Sequence, residues 1–126
     1  MVSLIDIVRM LESELPELNT YPLEYPLNSP KSAVLVDMQS TNPASAGLFA
    51  LNVQFKVRET HPATGEAISY QIRNLLNNRT DIQLGGLQVV LVQSVNPVPL
   101  YMGKDSTGNY LYSNNFRFLM NEGGNK

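Results

Sequence analysis

Residues 51–58 alternate strictly: Leu51, Val53, Phe55 and Val57 are apolar, and Asn52, Gln54, Lys56 and Arg58 are polar. Successive strand side chains point to opposite faces, so this period of two predicts a strand with one buried face. The alternation returns near the end of the chain. There Tyr110, Tyr112, Asn114, Phe116, Phe118 and Met120 share one face, and Leu111, Ser113, Asn115, Arg117 and Leu119 take the other. Residues 33–38 (AVLVDM) are a nearly unbroken apolar run, which predicts a short strand buried on both faces. Residues 87–95 (LQVVLVQSV) predict a strand of mixed burial, ended by Pro97 and Pro99.

Two segments repeat at three and four residues instead. Leu4, Ile5, Val8, Leu11 and Leu15 predict an amphipathic helix from Ser3 to about Pro16, with Asp6 in the reciprocal place of a capping box. A second helix starts at Pro62, capped by Thr60 or Thr64, with Ala63, Ala67, Ile68, Ile72, Leu75 and Leu76 as its apolar face. Pro22, Pro26 and Pro30 each lack a backbone donor, which predicts an edge strand or extended arm. Residues 39–48 predict a loop, Gly85-Gly86 a turn or bulge, Asp105 to Gly108 a tight turn, and 121–126 a disordered tail. The order of elements predicts an α+β fold: a small antiparallel or mixed sheet of about four strands with two helices packed on one face. A chain of 126 residues fits one domain, here residues 1–120.

Composition narrows the function classes. With no cysteine, disulfides, thiolate metal sites and a cysteine nucleophile are excluded. Charged residues make up 16%, against roughly a quarter in an ordinary domain. Amides and tyrosines supply the polarity, a composition suited to protein contacts. The 9 basic residues are outnumbered by 11 acidic ones and form no evident patch, which disfavours general nucleic-acid binding. Asp6, Arg9, Glu12 and Glu14 interrupt the first apolar segment, which is not patterned as a signal peptide, and nothing approaches the ~20 apolar residues of a membrane span. The expectation is a protein made in the cytoplasm with no membrane partner.

Candidate chemistry is thin. The single histidine, His61, precedes Pro62, and as a base it would have only Glu59 or Asp37 to work with; a loop histidine at a helix start accounts for it. Asp37, Glu59, Glu66, Asp81 and Asp105 are scattered singly, so no metal site is expected. The DSTGN segment lacks the ligand spacing of a calcium loop, and Gly85-Gly86 lacks the helix and Lys-Ser/Thr pair of a phosphate loop. No catalytic residue, cofactor or metal is expected. The aromatic final strand fits core packing, and RNA-binding sheets also carry such stripes, though they interleave them with Arg and Lys.

The run FALNVQFKVRETHPATGEAISYQIRNLLNN, followed later by YMGKDSTGNYLYSNNFRFLM, resembles the tail terminator (tail completion) proteins of long-tailed bacteriophages and the minor capsid proteins encoded beside them. The likeness runs through residues 53–58, 62–76, 97–108 and 110–120. It implies a virion assembly protein without enzymatic activity: a ring, of six subunits, on the head-proximal end of the tail tube. Such a ring stops tube polymerisation and meets the head connector, with DNA only as passing cargo. The expected partners are the protein itself, the major tail protein and the connector. The alternatives are a head-tail connector or head-completion subunit, a small nucleic-acid-binding module, and, furthest off, a small hydrolase. Contact residues expected for a ring or tube interface are Tyr21, Tyr25, Asn42 and Phe49 from the first half, and Tyr101, Tyr110 and Tyr112 from the second.

Overall fold

A computed structural model describes residues 2–45 and 47–121. The elements in order are α1 (Leu4–Glu14), β1 (Thr20–Pro22), β2 (Ala33–Pro43), β3 (Leu48–Glu59), α2 (Pro62–Leu76), β4 (Gln83–Leu84), β5 (Leu87–Ser94), β6 (Leu100–Lys104) and β7 (Tyr110–Asn121). They form one mixed seven-stranded sheet in the order β1-β2-β3-β7-β5-β4, with β6 also paired to β7. Only β1 and β2 run parallel; the other pairs are antiparallel.

The α+β class is as expected, and the sheet is larger than the four strands expected. The additions are three short strands, β1, β4 and β6, at its margins. Residues 39–43, expected in a loop, continue β2 and pair with β3 past an irregularity between Met38 and Ser40. That extension is polar because it is exposed, so its composition imitates a loop. Asn121, expected in a tail, ends β7 opposite Leu48, and residues 122–126 lie outside those described.

The core lies on one face of the sheet. Val34 and Val36 of β2, Val53, Phe55 and Val57 of β3, and Phe116, Phe118 and Met120 of β7 meet Ile7 and Leu11 of α1 and Ile72 and Leu76 of α2. The Asp6 carboxylate accepts hydrogen bonds from the Ser3 amide at 2.8 Å and its hydroxyl at 3.1 Å, which secures the start of α1. Both helices bury most of the expected faces, Leu4, Val8, Leu11 and Leu15 in the first and Ile68, Ile72, Leu75 and Leu76 in the second, with a few positions displaced. Helix α1 buries Ile7, Val8 and Leu11 and leaves Ile5 41% exposed. Helix α2 buries Gly65, Ser69, Ile72 and Leu76, while Ala63 and Ala67 are exposed. Gly65 faces the sheet because the side chain of Tyr112 fills the place that a larger residue at 65 would need. The N-cap of α2 is His61 with no side-chain cap bond, so neither Thr60 nor Thr64 plays that part; Pro62 begins the helix and needs no donor there.

Candidate assembly surfaces

The second face of the sheet carries no helix among the described residues. It is lined by the even-numbered residues of β3 and the odd-numbered residues of β7, and its polar groups bond one another laterally. Gln39 Nε2 donates to Asp37 at 2.8 Å and to Gln54 at 3.4 Å, and Gln54 Nε2 donates to Ser113 Oγ at 2.7 Å. Asn115 Nδ2 donates to Ser113 Oγ and to Asn96 Oδ1, both at 3.1 Å. Asn52 Nδ2 similarly reaches Ser40 Oγ at 2.9 Å and Asn42 Oδ1 at 2.8 Å. Amides can both donate and accept, so such a lattice fixes side-chain directions.

The proline-rich segment crosses this face as a strap between β1 and β2, tied down by Arg58. The Arg58 guanidinium lies 3.8 Å from the centre of the Tyr25 ring. It also donates to Lys31 O at 3.1 Å, Ser29 Oγ at 2.9 Å and Pro30 O at 2.7 Å. Tyr25 donates its hydroxyl to Lys56 O at 3.2 Å. Burial pushes the Tyr25 phenol up to about 12, with Arg58 pulling the other way and Asp105 adding to the rise. The strap therefore does not hang free as an arm: Tyr25 is half-buried against its own sheet, and Tyr21 is half-buried in β1. It displays Leu23 and Leu27, 59% and 92% exposed, at its turns. Replacing Arg58 by Lys keeps the charge but loses the planar fork. It is expected to lower stability by about 1 kcal/mol and to open residues 23–31 to limited proteolysis before the sheet unfolds.

On the helix-side face, Tyr101 of β6 sits 5.5 Å from Tyr112 and 6.4 Å from Tyr110, centre to centre. Tyr112 is buried and donates its hydroxyl to Pro62 O at 3.0 Å, which joins β7 to the start of α2. Tyr110 is half-buried with Lys104 Nζ 5.0 Å from its ring centre, and Tyr101 remains 55% exposed. So the structure brings three of the seven expected contact residues together and offers one of those three freely to solvent. Around Tyr101 the exposed apolar residues continue: Val95 58%, Val98 47%, Leu100 44% and Met102 50%. Sequence reasoning did not single these out.

Asn42 and Phe49 lie at the far end of the β2–β3 hairpin, away from the tyrosines. Asn42 is exposed on the polar face, and Phe49 packs half-buried against the edge of the core. With Thr41, Pro43 and Leu48 they line an open groove of about 550 Å³.

The β6–β7 turn is built on Asp105. Its carboxylate accepts from the Thr107 amide and hydroxyl and from the Asn109 amide, all at 2.9 Å, and from Asn109 Nδ2 at 3.1 Å. Desolvation of the carboxyl opposes ionisation, but these hydrogen bonds outweigh it and hold Asp105 at about 2, below its ordinary 3.8. A depressed folded value means the turn is fully stabilised above pH ~4 and loses that support as pH falls toward 2. An NMR titration of the Asp105 carboxyl carbon is expected to give a midpoint near 2; a midpoint near 3.8 would mean that the carboxylate does not hold the turn.

Nothing in the site assembles reactive groups. Glu59 is buried, accepting from Ser32 Oγ and from the Thr60 amide, and His61 is exposed at the helix start. Among the described residues no group of three or more His, Cys, Asp or Glu is placed to hold a metal, and no helix is long and apolar enough to cross a membrane.

Comparison with curated protein sequences found no match. A family model described as "Bacteriophage tail terminator protein" matches residues 20–122, which takes in the sheet, helix α2, the strap and the apolar margin around β6. That is well over half of the chain, and the protein belongs to the bacteriophage tail terminator family, a structural family of the virion tail.

Proposed function

We propose that this protein forms a hexameric ring on the head-proximal end of the tail tube, halts tube polymerisation there and presents its other face to the head connector. The observation that carries this reading, beside family membership, is the division of its surface into unlike parts on one rigid sheet. One part is an amide-lined face under a tied strap; the other is an apolar margin around β6. Ring closure needs two different, complementary surfaces on each subunit, related by a rotation that returns to its start. A cap needs a third that fits the last tube ring without recruiting another. The mechanism is geometric and involves no covalent step. The low charge of the chain as a whole also suits a channel through which DNA slides, because a strongly basic lining would hold phosphates. The protein would work in the virion, having been assembled in the host cytoplasm.

Co-assembly with the matching major tail protein, read by negative-stain electron microscopy, tests this. Tubes of limited length, each with a ring of this protein at one end, are the expected result. Uncapped tubes, with the protein found on purified heads, would replace the terminator by a head-tail connector. Duplex DNA retained by the free protein at moderate salt would favour a nucleic-acid module.

A further inference from the structure

Strand β6 is an uncovered edge. Its one strand partner among the described residues is β7, through Leu100↔Ser113, Tyr101↔Tyr112, Gly103↔Leu111 and Lys104↔Tyr110. The outer row of backbone donors and acceptors has no strand beside it among the described residues, and the exposed Leu100, Tyr101 and Met102 put apolar side chains along it. Soluble proteins normally blunt such an edge with charge, proline or a covering segment, because an exposed apolar edge pairs with any extended strand it meets. Here the prolines, Pro97 and Pro99, lie before the strand, and one charge, Lys104, lies at its end.

A second copy of this chain offers a matching edge of its own.

The same sheet has a second open edge on its opposite side. Strand β1 covers β2 only at Val34, Leu35 and Val36, so residues 39–43 have β3 on one side and nothing on the other among the described residues. This stretch is five residues long, the length of β6, and is closed by Pro43 as β6 is preceded by Pro99. Beside it lies the groove of about 550 Å³ lined by Thr41, Pro43, Leu48 and Phe49. Thr41 pairs with Leu51, whose side chain is in the core, so Thr41 is on the helix-side face, the face that also carries Tyr101.

We propose that the outer edge of β6 pairs with the outer edge of β2 in a second copy of this chain, with Tyr101 seated in the Thr41–Phe49 groove of that copy. The contact continues the sheet from one subunit to the next, hides both rows of unpaired backbone groups and covers the apolar margin. It joins two different surfaces, so it propagates in one direction and closes through the sheet's twist. An apolar edge meeting a polar one also opposes the self-pairing of β6 with β6, which would stop at a dimer. This assignment rests on the ring reading given above and identifies its subunit contact.

The absence of native cysteine makes the test clean. Directly opposed residues on adjacent strands are about 4.5–5.5 Å apart at Cα, within disulfide range. Within one chain Thr41 and Tyr101 map to Phe118 and Tyr112 along β7, about 20 Å apart, so any bond between them is intermolecular. The variants are Thr41→Cys with Tyr101→Cys, Pro43→Cys with Tyr101→Cys to cover a shift of register, and Tyr101→Cys alone. A fourth, Asn42→Cys with Tyr101→Cys, places the thiols on opposite faces. Each is oxidised after co-assembly with the major tail protein and examined by non-reducing electrophoresis and electron microscopy. A ladder up to a closed multimer is expected from one of the first two, at least tenfold above the opposite-face pair. Dimers from Tyr101→Cys alone, or equal ladders from the opposite-face pair, would overturn it. Rings on tubes with no ladder would overturn this contact and leave the capping function standing. Uncapped tubes with no ladder would remove both.

Discussion

Replacing Phe116 by alanine is expected to cost about 3–5 kcal/mol, the range for emptying a buried aromatic site. Phe116 is fully buried and meets Phe55 edge to face, with ring centres 5.5 Å apart and planes at 79°. It sits where β7 is held on both sides, opposite Val53 of β3 and Ser94 of β5. Ladders on both flanks prevent the backbone from collapsing into the void, which argues for the upper part of that range. Since domains of this size carry about 5–15 kcal/mol in total, the variant should have a urea midpoint well below that of the parent, with an unchanged m-value. Phe55→Ala should cost a similar amount. The double variant should cost less than the sum, because each single change already breaks the shared ring contact. A loss under 1 kcal/mol for Phe116→Ala would mean that the sheet interior is not packed as described.

The elements that were legible in the sequence are those with a buried face. Residues 51–58 and 110–120 became the central strands β3 and β7 because half their side chains answer to a core and half to solvent. Even Asn114, which interrupts the aromatic stripe, lies on the core side as the alternation requires. The margins were illegible for the complementary reason. A strand exposed on both faces need not alternate, so residues 39–43 read as a loop by composition although they hydrogen-bond as a strand. Strand β6 was hidden by Pro97 and Pro99 on one side and a turn on the other. A strand-turn-strand reading of LYMGKDSTGNYLY was available and would have found it.

The candidate surfaces were less legible than the fold, because tyrosine marks contact without saying with what. Tyr25 is spent on Arg58 and the Lys56 carbonyl, and Tyr112 on Pro62 and Gly65, all inside the same chain. Tyr101 differs in lying on a strand with no further strand on its outer side among the described residues, a property of sheet order rather than of residue type. Arg58 shows the same limit from the other direction. Its alternation gives the correct face, but its four partners lie 27 to 33 positions earlier in the chain, and no local pattern encodes them.

Gly65→Ala is expected to destabilise the protein by about 1–3 kcal/mol, the range for overpacking, although alanine is the better helix former by about 1 kcal/mol. A Cβ at this position would lie 2.7 Å and 2.9 Å from two ring carbons of Tyr112 and 3.4 Å from the Glu59 Cβ. A flexible side-chain end would yield cheaply, but this ring is buried, pinned by its hydroxyl to Pro62 O and backed by Tyr101. Helix α2 must therefore move off β7, and Ile72 and Leu76, about two and three turns along, move with it. The background decides the sign. In Tyr112→Phe the ring remains, so Gly65→Ala should stay destabilising. In Tyr112→Leu the ring carbons are gone, and the helix preference of alanine should surface as a gain of up to about 1 kcal/mol. Urea denaturation of the four proteins in each cycle reads the coupling directly. Equal costs in the Phe and Leu backgrounds would show that the glycine serves something other than the approach of this ring. The expected reversal would establish that one missing methyl group sets the distance between α2 and the sheet.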